Sequence, residues 1–351
     1  MNSELPTWFV TPLRLVVHRY LSYWRSLGRS YRGEQWKLDK LCQFLEAGRH
    51  IDLDRASFEA WSDSMQHTTP TMRRNAQLSV RRLCLYRQRS EPDCFVPDPL
   101  YFARKGARPI PFIVSPRQIG RLLAHLDACR TPQPVLALRH AVLQLAFVLL
   151  YTAGLRRQEL VNLTLADADP QQGMLTIRAT KFNKTRMLPL SADAQAELQA
   201  YLALRLAAGT DQSEGAPLLG HYTLSGGFSG YTGFGLYTLL ARTLEQAGIV
   251  DDQGRRPRIH DFRHTFAVQA LLRWYHEGAD VQVQLPYLSM YMGHVSIVST
   301  EYYLHWIPEI AFAASQRFEA RYGQLVSSHG SKTAGRPQAC QRAQSLTART
   351  P

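Results

Sequence analysis

The sequence lacks the features that mark disulfide-bonded, zinc-bound, secreted and membrane-spanning proteins. Its five cysteines are an odd, scattered set without a C-x-x-C pair, which favours reduced thiols over a disulfide framework or a zinc knuckle. The longest apolar run, residues 141–155, contains Gln144 and Thr152 and is shorter than the ~20 residues of a membrane span, so it predicts a buried helix. The N-terminus does not resemble a secretory signal. We therefore expect a cytoplasmic protein with no membrane partner.

Motifs for nucleotide and zinc-protease chemistry are also missing. No G-x-x-x-x-G-K-[ST], G-x-G-x-x-G or H-E-x-x-H occurs, so nucleotide hydrolysis and zincin chemistry have no support. Acidic residues are in deficit, since 28 Asp and Glu face 41 Lys and Arg, which gives a formal net charge of +13 over 351 residues. Such a surplus indicates a polyanionic partner, and nucleic acid is the commonest one.

Residues 1–105 are predicted to form a helical, basic domain. Apolar residues recur at helical spacing over residues 13–21 and 36–45, and a third helix is expected to start at Thr69 and Pro70. This third helix holds six arginines, which fits a solvated face as well as phosphate contact; the basic charge of the domain favours phosphate contact. Residues 106–114 are predicted to be a linker. The candidate DNA-binding residues are Arg73, Arg74, Arg81, Arg82, Arg104 and Lys105.

Residues 115–322 are predicted to form a second domain, mostly helical with a small β-sheet. Ser115 and Gln118 flank Pro116 in the pattern of a capping box, and helices are expected over residues 117–128 and 138–152 and from Ser191. Residues 174–178 and 186–190 are expected to form a β-hairpin with Lys181 near its turn. Residues 323–351 hold four basic and no acidic residues and are predicted to be a disordered tail.

Several short motifs of the second domain follow one another at fixed spacing. An arginine, Arg156, comes directly after a Gly-Leu pair at the end of the long apolar run. His260 and Arg263 are three residues apart and so share a helical face. His260 and His264 have a spacing compatible with a metal, but no carboxylate or thiol partner is evident and Arg263 between them would repel a cation. His294 follows a glycine, and Tyr303 comes nine residues later.

Taken together, these motifs resemble those of the tyrosine recombinase (phage integrase) family. That family carries an Arg in A-G-L-R-x-x-E-L, a Lys in a β-hairpin, H-x-x-R, G-H and then a Tyr nine residues later, and all five occur here in this order. The resemblance is strong over residues 115–322 and looser in the N-terminal part. It implies a two-domain DNA clamp, in which a helical core-binding (SAM-like) domain and a mostly helical catalytic domain enclose duplex DNA.

The resemblance also implies a role for each motif residue in cutting a phosphodiester bond. Two guanidiniums can grip the non-bridging oxygens, a histidine can take and return the tyrosine proton, and the phosphotyrosine link keeps the bond energy, so that neither metal nor cofactor is expected. Glu159 is expected to orient an arginine. The implied catalytic residues are Arg156, Lys181, His260, Arg263, His294 and the nucleophile Tyr303.

Neighbouring residues offer alternatives to three of these assignments. Arg157 is the alternative to Arg156, Lys184 to Lys181, and Tyr302 to Tyr303. The family pattern favours Arg156, Lys181 and Tyr303. The family's K-G-N-K is replaced by a motif with Phe182 in the glycine position, so the hairpin turn is expected to differ.

The length of the segment 272–290 resembles that of members carried on transposons and integrative elements. We therefore expect a site-specific recombinase that integrates or excises a mobile element, acting as a tetramer on DNA with accessory DNA-binding proteins as possible partners. Two other hypotheses remain open at this point: a type IB topoisomerase-like activity, and a catalytically silent DNA-binding protein of the same fold.

Overall fold

The computed structural model describes residues 11–106, 110–131, 133–178, 185–251, 253–293 and 315–316. The chain divides into two compact units, Met1–Ile110 and Pro111–Pro351, so the division lies within the predicted linker, residues 106–114. The described residues are mostly helical and carry small antiparallel sheets, as predicted.

The first unit contains the helices α1 (Pro12–Ser26), α2 (Arg32–Ala47), α3 (Arg55–Ser64) and α4 (Pro70–Arg87). Helix α4 begins as predicted, because Thr69 accepts a hydrogen bond from the N–H of Met72 and Pro70 occupies the first turn. On α2, Leu38, Leu41 and Leu45 are fully buried at helical spacing. The four helices enclose one apolar core of their own.

The second unit is built around helix α6 (Pro134–Thr152), which corresponds to the long apolar run of the sequence. Its described side chains are buried on most faces, as in a helix that other elements surround. Helix α5 (Pro116–Ala128) precedes it and begins with the predicted capping box, in which Ser115 and Gln118 each bond the backbone of the other. The N–H of Val114 donates to Oγ1 of Thr265 at 2.9 Å, so the second unit is anchored from its first residues.

The remaining helices of this unit position the candidate site. They are α7 (Arg157–Asn162), α8 (Ala192–Ala207), α9 (Gly233–Gln246), α10 (Ile259–His276) and α11 (Val281–Met292). Helix α8 starts at the predicted cap, Ser191. The segment 272–290 forms the end of α10, a turn, and most of α11, which Asp280 caps at its N-terminus.

Two small antiparallel sheets complete the second unit. Strands β1 (Ala168–Asp169), β2 (Met174–Ile177) and β3 (Arg186–Pro189) form the first, and the β2–β3 pair is the predicted hairpin. Ile177 is paired with Arg186, so the register places Arg186 at the start of β3 beside the end of β2. Strands β4 (Gly220–Tyr222) and β5 (Phe228–Gly230) form the second sheet.

Candidate active site

Arg156 lies where the buried helix α6 ends and the short helix α7 begins. Gly154 makes the turn with a φ of +58°, a left-handed conformation that residues with a Cβ rarely adopt. A Cβ at this position would lie 2.6 Å from Cδ1 of Phe266 on α10, so the backbone of the turn packs directly on that ring. Arg156 therefore leaves the core at a fixed point and caps α7.

The carboxylate of Glu159 connects Arg156 with a second arginine. Nη1 of Arg156 donates to Oε1 of Glu159 at 2.6 Å, and the backbone N–H of Arg156 donates to Oε2 at 3.0 Å. Arg186 of β3 donates to both oxygens, from Nη1 at 3.1 Å and from Nη2 at 2.9 Å. Burial favours a higher pKa for Glu159, but the hydrogen bonds from Arg186 and Arg156 outweigh it and keep the pKa below its usual value. Glu159 is thus an ionised partner of two arginines.

Arg263 is held inside the second unit, with only 1% of the residue exposed. It lies in the second turn of α10, and its Nη1 donates to the carbonyl of Gly154 at 2.7 Å. Its Nη2 donates to the carbonyl of Met292. This one guanidinium therefore joins three elements: helix α10, the turn that carries Arg156, and the end of helix α11.

Three consecutive carbonyls at the end of α11 each accept a hydrogen bond from a different arginine. Carbonyls in the last turn of a helix lack partners within the helix and carry partial negative charge, which guanidinium groups complement. Gly293 ends the helix in a left-handed conformation, with a φ of +63°. The donors and acceptors are Arg186 Nε with Tyr291 at 2.8 Å, Arg263 Nη2 with Met292, and Arg156 Nη2 with Gly293 at 2.7 Å.

His260 and His264 lie one turn apart on α10, with ring centroids 4.7 Å apart and nearly perpendicular. His260 keeps solvent exposure, but partial loss of hydration and then the positive charge of Arg263 lower its pKa. Burial, and next the neighbouring His260, lower the pKa of His264 to about 4. Both imidazoles are therefore neutral at pH 7, and a neutral His260 is able to accept a proton.

Three of the predicted catalytic residues lie outside the described residues: Lys181, His294 and Tyr303. The structure describes residues that flank the segments of the first two. Lys181 falls between the end of β2 and the start of β3, and His294 directly follows Gly293. Arg156 and Arg263 thus contact the end of α11 directly before His294, and Arg156 shares Glu159 with Arg186 at the start of β3.

The predicted DNA-binding arginines of α4 differ in their surroundings. Arg74 donates to the carbonyl of Ala103 at 3.0 Å and Arg81 to that of Pro97, so both tie the chain after α4 to the helix. Arg82 forms an ion pair with Glu34 at 2.9 Å while 54% of its side chain stays exposed. The side chains of the other candidates form no hydrogen bond or ion pair with another described residue; they are Arg73, Arg104 and Lys105.

The arrangement in the second unit suits an anionic oxygen more than a cation. Three guanidiniums donate to the carbonyls at the end of α11, and one carboxylate, that of Glu159, accepts from two of them, so a net positive charge remains there. No group of three or more His, Cys, Asp or Glu within the described part of the chain could hold a metal ion. Arg186 is the residue that the sequence analysis missed; its only sequence signal is its position at the start of a predicted strand that follows Lys181.

Comparisons with known proteins agree with this geometry. The family model described as "Phage integrase family" matches residues 114–309. A protein named as an integrase/recombinase, y4rB of Sinorhizobium fredii, is 34% identical over 89% of this chain and 99% of its own length. The tyrosine recombinase XerD of Vibrio cholerae is 28% identical over 79% of this chain and 84% of its own length.

A solved structure shares the fold. The Tn1549 transposon integrase in complex with a circular intermediate DNA superposes with a TM-score of 0.61 and 18% identity, covering 88% of this chain and all of that chain. No helix among the described residues is both long and apolar enough to cross a membrane.

Proposed function

The chain belongs to the phage integrase family of tyrosine recombinases, and from this premise we propose how its residues divide the work of breaking and rejoining DNA strands. Site-specific recombination is the activity of the family, and the comparisons favour neither a topoisomerase nor a silent DNA-binding protein. The assignment of residues to steps is our own proposal. The observation that carries it is the pair of neighbouring carbonyls, of Met292 and Gly293, that hold Arg263 and Arg156 side by side.

In the cleavage step, Oη of Tyr303 attacks the phosphorus and the bond from phosphorus to the 5′-oxygen breaks. His260 accepts the tyrosine proton, for which its lowered pKa keeps it neutral at pH 7. Lys181 gives a proton to the departing 5′-oxygen. The product is a 3′-phosphotyrosine and a free 5′-hydroxyl, and the reverse sequence of proton transfers rejoins the strand without an added energy source.

The negative charge on the non-bridging oxygens is neutralised by Arg156 and Arg263, with a further hydrogen bond from His294. Guanidiniums suit this task because they offer paired donors at a fixed geometry and keep their charge at all relevant pH values. Both arginines are held by carbonyls and a carboxylate before any DNA arrives, so little reorganisation is needed in the transition state.

The biological setting that we propose is the integration or excision of a mobile element. Its support is the length of segment 272–290 and the shared fold with a transposon integrase. Duplex DNA would be bound by the exposed basic residues of the first unit, Arg82, Arg104 and Lys105, together with the half-buried Arg73, Arg74 and Arg81. We further propose a tetramer of this chain on two DNA sites, accessory DNA-binding proteins that set direction, and a cytoplasmic location.

Covalent trapping on nicked duplexes tests the proposed chemistry. The duplexes are built from DNA that flanks the gene and are incubated without metal or ATP. Wild-type protein is expected to give a protease-sensitive protein–DNA adduct, which Tyr303→Phe abolishes and the matched control Tyr302→Phe retains. Arg263→Ala is expected to slow adduct formation by about 100-fold or more, since a preorganised donor to the phosphoryl oxygens is lost.

Two outcomes would contradict the assignment. An adduct that survives Tyr303→Phe places the nucleophile at another residue. Salt-sensitive DNA binding with no adduct from wild-type protein removes the support for catalysis by this chain alone on that DNA.

A further inference from the structure

Arg186 is a buried arginine whose partners belong to the candidate site. Only 12% of its side chain is exposed. Its Nε donates to the carbonyl of Tyr291 at 2.8 Å, and its two terminal nitrogens donate to the two oxygens of Glu159 at 3.1 and 2.9 Å. All three guanidinium nitrogens therefore donate to acceptors of the candidate site.

The partners of Arg186 are the partners of the proposed phosphate ligand Arg156. Glu159 accepts a 2.6 Å hydrogen bond from Nη1 of Arg156, and Gly293, two residues after Tyr291, accepts a 2.7 Å hydrogen bond from Nη2 of the same side chain. Arg186 thus fixes both acceptors that hold the guanidinium of Arg156: the carboxylate directly, and the helix end through Tyr291.

The fit around Arg186 is close. A Cβ on Gly293 would lie 2.8 Å from Nη1 of Arg186, so the guanidinium packs against the bare backbone of that glycine. A lysine at position 186 could keep a positive charge near Glu159, but a single ammonium cannot reproduce a two-pronged contact with a carboxylate and a third bond to a carbonyl.

We propose that Arg186 is a positioning residue for phosphoryl transfer, which acts through Glu159 to aim Arg156 at the scissile phosphate. This inference rests on the proposed function, in which Arg156 neutralises a non-bridging oxygen. It assigns to strand β3 a task separate from that of Lys181 on the same hairpin: the strand sets the position of the arginine that receives the phosphate.

The test compares Arg186→Lys with Arg205→Lys. Arg205 is a matched control because it is also buried and also donates to backbone carbonyls, but its partners lie between Thr210 and Leu218, away from the site. Folding is checked by circular dichroism and thermal unfolding, and DNA binding by fluorescence anisotropy. Where Arg186→Lys does not fold, Arg186→Gln takes its place, since it needs no counter-charge.

The decisive readout is the rate of adduct formation on two nicked duplexes. One has an ordinary phosphate at the cleavage position, and the other has a methylphosphonate, which lacks one negative charge. Arg186→Lys is expected to slow cleavage of the phosphate by about 100-fold, the scale of a small misplacement of a reacting group. Its defect on the methylphosphonate should be at most a few-fold, because less charge then needs neutralising. Arg205→Lys should change both rates by the same factor.

A double variant asks whether Arg186 works through Arg156. If it does, Arg156→Ala with Arg186→Lys cleaves the phosphate no more slowly than Arg156→Ala alone. Independent, multiplicative losses would overturn the proposal, as would equal defects of Arg186→Lys on both duplexes or wild-type rates on the phosphate. These outcomes differ from a failure of the proposed function, in which wild-type protein itself forms no adduct and the inference falls with it.

Discussion

Gly154 is the residue at which backbone conformation and site geometry depend most directly on each other. Its φ is +58°, and a Cβ there would meet the ring of Phe266 at 2.6 Å. We expect Gly154→Ala to cost about 3 kcal/mol of unfolding free energy, about 1 from the left-handed backbone and the rest from displacing the ring. The measurement is urea unfolding, combined with the rate of adduct formation, because the carbonyl of Gly154 also holds Arg263.

Gly209 supplies the control for this prediction. It has a similar φ of +64°, but nothing lies within 4 Å of its Cβ position. Gly209→Ala should therefore cost only about 1 kcal/mol and leave the cleavage rate unchanged. Equal losses of stability in the two variants would show that the contact with Phe266 is relieved at little cost.

The motif residues of the site could be predicted from sequence, whereas Arg186 could not. Arg156, Glu159, His260 and Arg263 each stand at a fixed spacing within a short motif. The role of Arg186 depends on partners 27 and 105 residues away, Glu159 and the carbonyl of Tyr291. A backbone carbonyl leaves no trace in residue type, so contacts of this kind appear only when the fold is known.

At the scale of an element, the arginines of helix α4 have different roles. Arg87 donates to both oxygens of Asp52, at 2.6 and 2.7 Å, and to Glu91 at 2.8 Å, while Arg73 makes no such bond with another described residue. We expect Arg87→Ala to lower the unfolding free energy by about 1 kcal/mol, since it leaves charged partners unpaired. Arg73→Ala should change stability by less than about 0.5 kcal/mol.

The effects of Arg73→Ala and Arg87→Ala on DNA binding should be in the opposite order to their effects on stability. Each cation that neutralises a phosphate contributes about 0.9 to the slope of log affinity against log salt concentration. Arg73→Ala is expected to reduce the slope by about that amount, and Arg87→Ala to leave it unchanged, as measured by fluorescence anisotropy across a salt series. A reduced slope for Arg87→Ala alone would show that Arg87, and not Arg73, contacts DNA phosphates.

Helices with a side-chain N-cap could be predicted from the sequence, whereas the shortest strands could not. Thr69, Ser115 and Ser191 each cap a helix where the sequence indicated one, because a side-chain cap is a local signal. Strands β1, β4 and β5 have two or three residues, too few for an alternating pattern to register. They exist because the flanking segments hold them together, which is information outside the strands themselves.

At the scale of the whole molecule, the two units have separate apolar cores, and the change in composition along the chain predicted a division near their boundary. Prolines cannot donate a backbone hydrogen bond, and the sequence between residues 92 and 111 is rich in them, which disfavours a long helix or a central strand in this segment. The geometry of a site built from distant segments leaves no comparable trace in composition.

The net charge of +13 is spread unevenly, and the tail 323–351 holds four basic residues without a single acidic one. If this tail contacts DNA phosphates, replacing its charges should weaken binding in low salt and reduce the salt slope by about 3 to 4, according to the contribution of each cation. The variant carries glutamine in place of Lys332, Arg336, Arg342 and Arg349. A control with glutamine at Ser327, Ser328, Ser331 and Thr333 keeps the charge and the length. An unchanged slope in the first variant would assign the electrostatic contact with DNA to the two folded units. The basic residues of the first unit, and Arg156 and Arg263 of the second, would then carry it.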